Sequence, residues 1–169
     1  MSIVVETGTG VANASSYVSL AEAADYFAWL GNEDYDATDE KVLVRATQAV
    51  DLHYGARYRS TKLTATQGLL FPRVPFVDSD GHTRSGIPAE LKKAVFEAAF
   101  KLQQGEEIMV APTRDGLLTK NTLKVGSLEI TKEYADGQTS TNQNVKLDAL
   151  LMPLLKSNAG IRNVKLNRG

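Results

Sequence analysis

The chain has 169 residues, 43% of them apolar, and no cysteine, so it is expected to bury one core without disulfides or thiolate sites. Its 19 basic and 20 acidic residues leave a formal charge of −1, which excludes a global field drawing it to nucleic acid or anionic membrane; a charge-based function has to arise from local segregation. The opening Met1-Ser2-Ile3-Val4-Val5-Glu6 has neither a basic region nor a long apolar run, and no later window approaches a membrane span, so the expectation is a soluble, unexported protein.

Residues 1–18 are rich in Gly, Ser, Thr and Asn around a short β-prone Ile3-Val4-Val5, and read as an extended N-terminal arm closing on Tyr17 and Val18. Ser19 with Glu22 three positions on forms a capping box, Val18 lies just outside it, and Leu20, Ala23, Ala24 and Phe27 continue a first helix to about Gly31. Thr38 or Asp39 caps a second helix, in which Val42, Leu43, Ala46, Ala49, Val50 and His53 make a broad apolar face as far as about Tyr54. From Tyr58 to Pro75 the reading is a loop centred on Leu69-Leu70-Phe71-Pro72-Arg73, because Pro72 and Pro75 exclude a long helix.

Pro88 suits the first position of a third helix and Gly105 stops it. Leu91, Ala94, Val95, Ala98 and Leu102 form one stripe and Phe96, Ala99 and Phe100 a second, so this helix is expected at the centre of the core. In Leu123-Lys124-Val125-Gly126-Ser127-Leu128-Glu129-Ile130 a Gly-Ser loop places Val125 opposite Leu128 and Leu123 opposite Ile130. The same register sets Lys124 against Glu129 and Lys120 against Glu133, predicting a hairpin at about 120–134. A polar linker over 136–144 leads to a short helix through Leu147, Leu150, Leu151, Leu154 and Leu155 that Pro153 kinks or confines. The expected fold is mostly α: a small bundle of three main helices plus a short C-terminal helix over 19–156, with one β-hairpin and extended N- and C-terminal arms.

Catalytic, cofactor and metal sites find little support. His53 falls on an apolar helix side, as structural histidines do, and His82 falls in a turn facing water. Asp78-Ser79-Asp80-Gly81 is a surface turn, since Ala89 stands where a calcium loop needs its glutamate. Gly8-Thr9-Gly10 lacks the third glycine of a dinucleotide site. Two segments do suggest binding. Arg57, Tyr58, Arg59, Lys62, Phe71 and Arg73 mix cations with aromatics as single-strand stacking grooves do; the competing reading packs Tyr54, Tyr58 and Phe71 on the core and leaves the cations solvated. The end of the chain, 157–169, intersperses Arg162, Lys165 and Arg168 with Ile161, Val164 and Leu166 and has no acid after Asp148, as suits an arm that orders against a partner.

Taken in order, Ala12-Asn13-Ala14-Ser15-Ser16-Tyr17-Val18-Ser19-Leu20-Ala21-Glu22-Ala23-Ala24-Asp25-Tyr26-Phe27, Arg45-Ala46-Thr47 with Asp51, Gln67-Gly68-Leu69-Leu70-Phe71-Pro72-Arg73, Ile87-Pro88 and Lys124-Val125-Gly126-Ser127-Leu128 with Tyr134 resemble the head-tail connector (adaptor) proteins of tailed phages, a family often labelled DnaT-like. The resemblance implies a non-enzymatic ring of about twelve copies at the neck of the virion, assembled in the host cytoplasm. It also implies docking on the portal through Ile161, Arg162, Val164, Lys165, Leu166 and Arg168, a further contact with the next neck or tail-completion protein, and passage of double-stranded DNA without specific binding. Heterologous ring contacts need two different patches per subunit, for which the doubly striped third helix and the C-terminal leucines are candidates. The alternative is a single-stranded DNA-binding module using Arg57, Arg59, Lys62 and Arg73.

Overall fold

The computed structural model describes residues 2–77, 81–109, 118–124, 129–134 and 144–156, with backbone alone for 118–124 and 129–134. Four helices occur there: α1 (Leu20–Trp29), α2 (Glu40–Tyr54), α3 (Ala89–Gln103) and α4 (Val145–Leu151). The strands pair in antiparallel twos: β1 (Thr61–Lys62) with β2 (Arg73–Val74), β3 (Phe76–Val77) with β4 (Thr83–Arg84), and β5 (Leu118–Lys124) with β6 (Glu129–Tyr134). The expectation of one hairpin therefore undercounts. The two added pairs are only two residues per strand, too short to leave an alternating pattern in the sequence.

Helix ends follow local chemistry. At the start of α1 the Ser19 amide donates to Glu22 Oε2 at 2.9 Å and the Glu22 amide to Ser19 Oγ at 3.2 Å, so the expected capping box is present. Lys92 of α3 donates to the other oxygen of Glu22 at 2.6 Å, which turns a local cap into a tertiary tie. Gly31 takes φ +66° just beyond α1. Asp39, one of the two expected caps, accepts from the Lys41 amide and opens α2. Pro88 is the cap of α3 and Ala89 its first residue, one position later than expected, because a φ of −58° with ψ of 140° holds the proline in extended backbone. Pro153 ends the α-helical part of the C-terminal helix and continues it as a 3₁₀ turn, Met152–Leu154.

α1 and α3 run in the same direction, joined by Glu22–Lys92 near their starts and by the Phe27 and Phe100 rings, 5.7 Å apart, further along. α2 runs against them: Gln103 at the end of α3 exchanges hydrogen bonds with the backbone of Asp36, just ahead of α2. α3 is the core helix, with Leu91, Ala94, Val95, Ala98 and Ala99 fully buried and Phe96 stacked on Tyr26 at 4.7 Å. Both of its stripes are thus covered within the chain, as are Leu147, Leu151 and Leu154. That corrects the expectation that these apolar faces are left for neighbouring copies. Glu97, on the same helix, is buried but satisfied, accepting from Tyr26 Oη at 2.8 Å and Lys146 Nζ at 2.7 Å.

The residues read as an extended N-terminal arm fold back on the body from residue 3, whose amide donates to Glu40 Oε2 at 3.1 Å. Val4 O accepts the amides of Ser15 and Ser16, and the Glu6 amide donates to Ser16 O at 2.9 Å. The buried Glu6 carboxylate closes the loop between, accepting the amides of Gly8, Thr9 and Gly10 on one oxygen and of Val11 on the other at 2.8–3.0 Å. The β5–β6 ladder has the expected register, Lys120↔Glu133, Leu123↔Ile130 and Lys124↔Glu129. Its Val125–Leu128 turn and the 157–169 arm lie outside the described residues.

Candidate interaction surfaces

The loop between α2 and β3 is held on the body at its apolar centre. Tyr17 Oη donates to Asp51 at 2.8–2.9 Å and accepts the amides of Leu70 and Phe71, each at 3.0 Å. Asp51 Oδ2 takes the Leu70 amide as well, at 3.1 Å. Burial pushes the Asp51 carboxyl up to about 6, against the lowering effect of the Tyr17 and Leu70 hydrogen bonds, and burial followed by the nearby Asp51 charge raises the Tyr17 phenol well above its ordinary value. Buried Gln67 braces the same loop from within, donating to Leu69 O and Pro72 O and accepting the Thr64 amide. The Phe71–Pro72 and Val74–Pro75 peptide bonds are cis.

This architecture decides what the cation and aromatic residues of the loop do. Tyr58 and Phe71 are in the core, edge to face at 4.9 Å, where a nucleotide base cannot reach them. Arg73 donates from Nε to Arg59 O at 2.6 Å, from one terminal nitrogen to Leu70 O at 3.2 Å, and from the other to Ser60 O. Its pKa is lowered, mainly by burial. Arg59 donates to Leu155 O, while its amide donates to Leu154 O at 3.0 Å. Arg57 is exposed and lies 5.0 Å over the Tyr54 ring; Lys62 is exposed on β1. The four cations named from the sequence therefore share a region, but two guanidiniums are engaged by backbone carbonyls and two side chains face solvent. Lys156 donates its amide to Arg57 O at 2.7 Å, so the described chain ends beside this basic edge.

The opposite end of the bundle was not singled out by sequence reasoning. Trp29 is 83% exposed at the last position of α1, followed by Leu30 at 46%. Exposed Glu33, Asp34 and Asp36 follow, and Asp36 is held below its ordinary value by hydrogen bonds from Thr38. The legible signal was the absence of any Lys or Arg before Lys41. His53 points to solvent next to exposed Leu52, which corrects its placement on the buried side of α2; the buried face of that helix runs through Val42, Leu43, Ala46, Thr47, Val50 and Tyr54 instead. His82 is exposed, as expected, and residues 78–80 of the neighbouring turn lie outside the described ones. Among the described residues no group of three or more His, Asp or Glu side chains is placed to hold a metal ion, and no helix is long and apolar enough to cross a membrane.

A small mixed fold, with four helices around one core, short antiparallel ribbons and opposite charge excesses at its two ends, is the class that the described residues define. The chain belongs to the family described as "Putative DnaT-like ssDNA binding protein", which matches residues 1–169. No similar protein was found among curated proteins, and none among solved structures.

Proposed function

We propose that this protein is a non-enzymatic structural connector, working as a ring of about twelve copies that joins larger bodies by protein–protein contact at the neck of a tailed phage. The observation that carries the reading is the use of the 57–73 region. The rings that a stacking groove needs are in the core, and the Arg59 and Arg73 guanidiniums brace backbone carbonyls, while a tryptophan stands in solvent at the other end of the bundle. Exposed tryptophan and arginine are the side chains that dominate protein interfaces. In this reading the 157–169 arm, which follows Lys156 in sequence, docks on the portal through Ile161, Arg162, Val164, Lys165, Leu166 and Arg168. The β5–β6 hairpin or the 72–88 segment meets the next neck component, and double-stranded DNA passes through the ring. Repetition multiplies a weak contact, so each arm has to supply only a few kcal/mol. The test is mass measurement and electron microscopy with and without the portal protein, for the full chain and a chain lacking 160–169. A ring that forms on the portal and weakens on deletion is the expected result; unimpaired binding of the deleted chain removes the arm mechanism.

A second reading, binding of single-stranded DNA, is favoured by the family's own description. Here exposed Arg57 and Lys62 are the cations free to meet phosphate, with Arg59 and Arg73 positioning the edge from beneath. It requires affinity that falls steeply with salt. Titration of a labelled oligonucleotide at low and moderate salt separates the two readings.

A further inference from the structure

We propose that copies of this chain join end to end, the acidic Trp29 corner of one copy seating on the basic β1–β2 edge of the next. The inference rests on the ring reading above and names the surfaces that close it.

Charge is segregated along the molecule. No cation precedes Lys41, and no acid occurs between Arg57 and Val77. The helix between these stretches is α2, whose 15 residues separate its ends by about 22 Å at 1.5 Å per residue. At the acidic end, α1 finishes with no basic residue in its last turn, so its negative carbonyl end is left uncompensated, and Glu33 and Asp34 add full charges beside it. Trp29 and Leu30 supply the apolar centre there, 83% and 46% exposed. At the other end stand exposed Arg57, over the Tyr54 ring, and exposed Lys62, next in sequence to Leu63, with Leu63 and Val74 39% and 37% exposed. The ribbon register, Thr61↔Val74 and Lys62↔Arg73, sets Val74 and Lys62 on opposite faces of the same two-stranded ribbon, so the cation borders the apolar group from across the ribbon.

Each end is thus an apolar patch with an excess of one sign of charge, acidic around Trp29 despite Lys41 in the first turn of α2 and basic around Arg57 despite Asp148 on Tyr54, and the two excesses are opposite. A symmetric pair built on either end alone would set like charge against like, whereas a heterologous contact sets acid against base, and a heterologous contact is what generates a closed ring or an open filament. The apolar stripes of α3 are already buried within the chain, so they do not compete for this role. Salt dependence follows, since exposed charges are screened beyond about 10 Å at 0.1 M salt.

The experiment is sedimentation velocity of the full chain at low and moderate salt, with variants Glu33→Lys/Asp34→Lys and Arg57→Glu/Lys62→Glu, and circular dichroism to verify folding. Wild type is expected to self-associate at low salt and each variant alone to be monomeric. An equimolar mixture of the two variants is expected to regain assembly, because the swapped corner of one again faces an opposite charge on the other. Trp29→Ala, leaving the charges in place, should weaken association at least tenfold. A wild type that stays monomeric over the whole concentration range overturns the proposal, as does a folded variant that assembles normally or a mixture that stays apart. If wild type assembles but the swaps have no effect, these surfaces are wrong and the ring reading stands. A monomer that binds single-stranded DNA in a salt-dependent way removes both.

Discussion

Tyr17 and Asp51 lie 34 residues apart in sequence, yet the Tyr17 hydroxyl sits 2.8–2.9 Å from the carboxylate and both groups receive amides from the Leu70–Phe71 backbone. One buried pair therefore joins the N-terminal segment, α2 and the proline-rich loop. The carboxyl is raised to about 6 from an ordinary 3.8, so between about pH 4 and pH 6 the folded state holds a proton that the unfolded chain has released.

Stability contributed by this proton is fully present below about pH 4 and lost as pH rises through about 6, opposite to Glu22 and Glu90, whose pKa values are lowered. Asp51→Asn removes the titration. The difference in unfolding free energy between wild type and variant should shift in the variant's favour by about 2 to 3 kcal/mol across that window. Urea denaturation at the two ends of the window measures it, and a constant difference would place the raised pKa elsewhere.

Glu6 closes the 7–11 turn, with four amides on its two oxygens. Glu6→Ala leaves those donors without their acceptor in a half-buried loop, and the expected loss is about 2 kcal/mol. Equilibrium unfolding gives the number, and hydrogen exchange should show faster exchange at Gly8 to Val11 in the variant.

Arg73 and Arg57 look alike in sequence and differ in role. Arg73→Ala leaves the carbonyls of Arg59, Ser60 and Leu70 without their donor and is expected to destabilise by about 2 kcal/mol, whereas Arg57→Ala should cost under about 1 kcal/mol. Thermal melts of the two variants make the comparison, and equal losses would contradict the structural role of Arg73.

Two glycines with positive φ test the packing of the N-terminal turn. A Cβ on Gly8 (φ +95°) would come 2.7 Å from Gly86 Cα, while one on Gly31 (φ +66°) meets nothing within 4 Å. Gly31→Ala should cost about 1 kcal/mol, from backbone conformation alone. Gly8→Ala should cost at least twice that, because backbone has to move; a smaller loss by chemical denaturation would mean that the turn is not anchored against Gly86.

Much of the local structure was legible. Ser19 with Glu22, Asp39, Gly31, Gly105 and Pro153 mark helix boundaries through interactions within a few residues, and the structure places each boundary within two residues of its signal. The β5–β6 register was legible too, because apolar pairing and charge pairing choose the same alignment. His53 was misplaced because it follows the apolar spacing of α2 at the point where that helix rolls Leu52 and His53 toward solvent and Tyr54 inward. The candidate surfaces were less legible. Arg57, Arg59, Lys62 and Arg73 could be named as cations, but whether a guanidinium faces phosphate or a carbonyl of its own chain depends on how backbone as far as 14 residues away, for Arg73, or 96, for Arg59, folds over it.

From the sequence alone came the caps, the helical periods, the hairpin alignment and the unequal distribution of charge along the chain, since each arises between near neighbours or from composition. Only the tertiary structure decided that both stripes of α3 are covered, that Tyr58 and Phe71 lie in the core, that Asp51 clamps the loop, and that the acidic and basic stretches stand at opposite ends of α2. Those outcomes depend on contacts between residues distant in sequence, where burial and competition for hydrogen-bond partners determine which of several chemically similar side chains is left facing water.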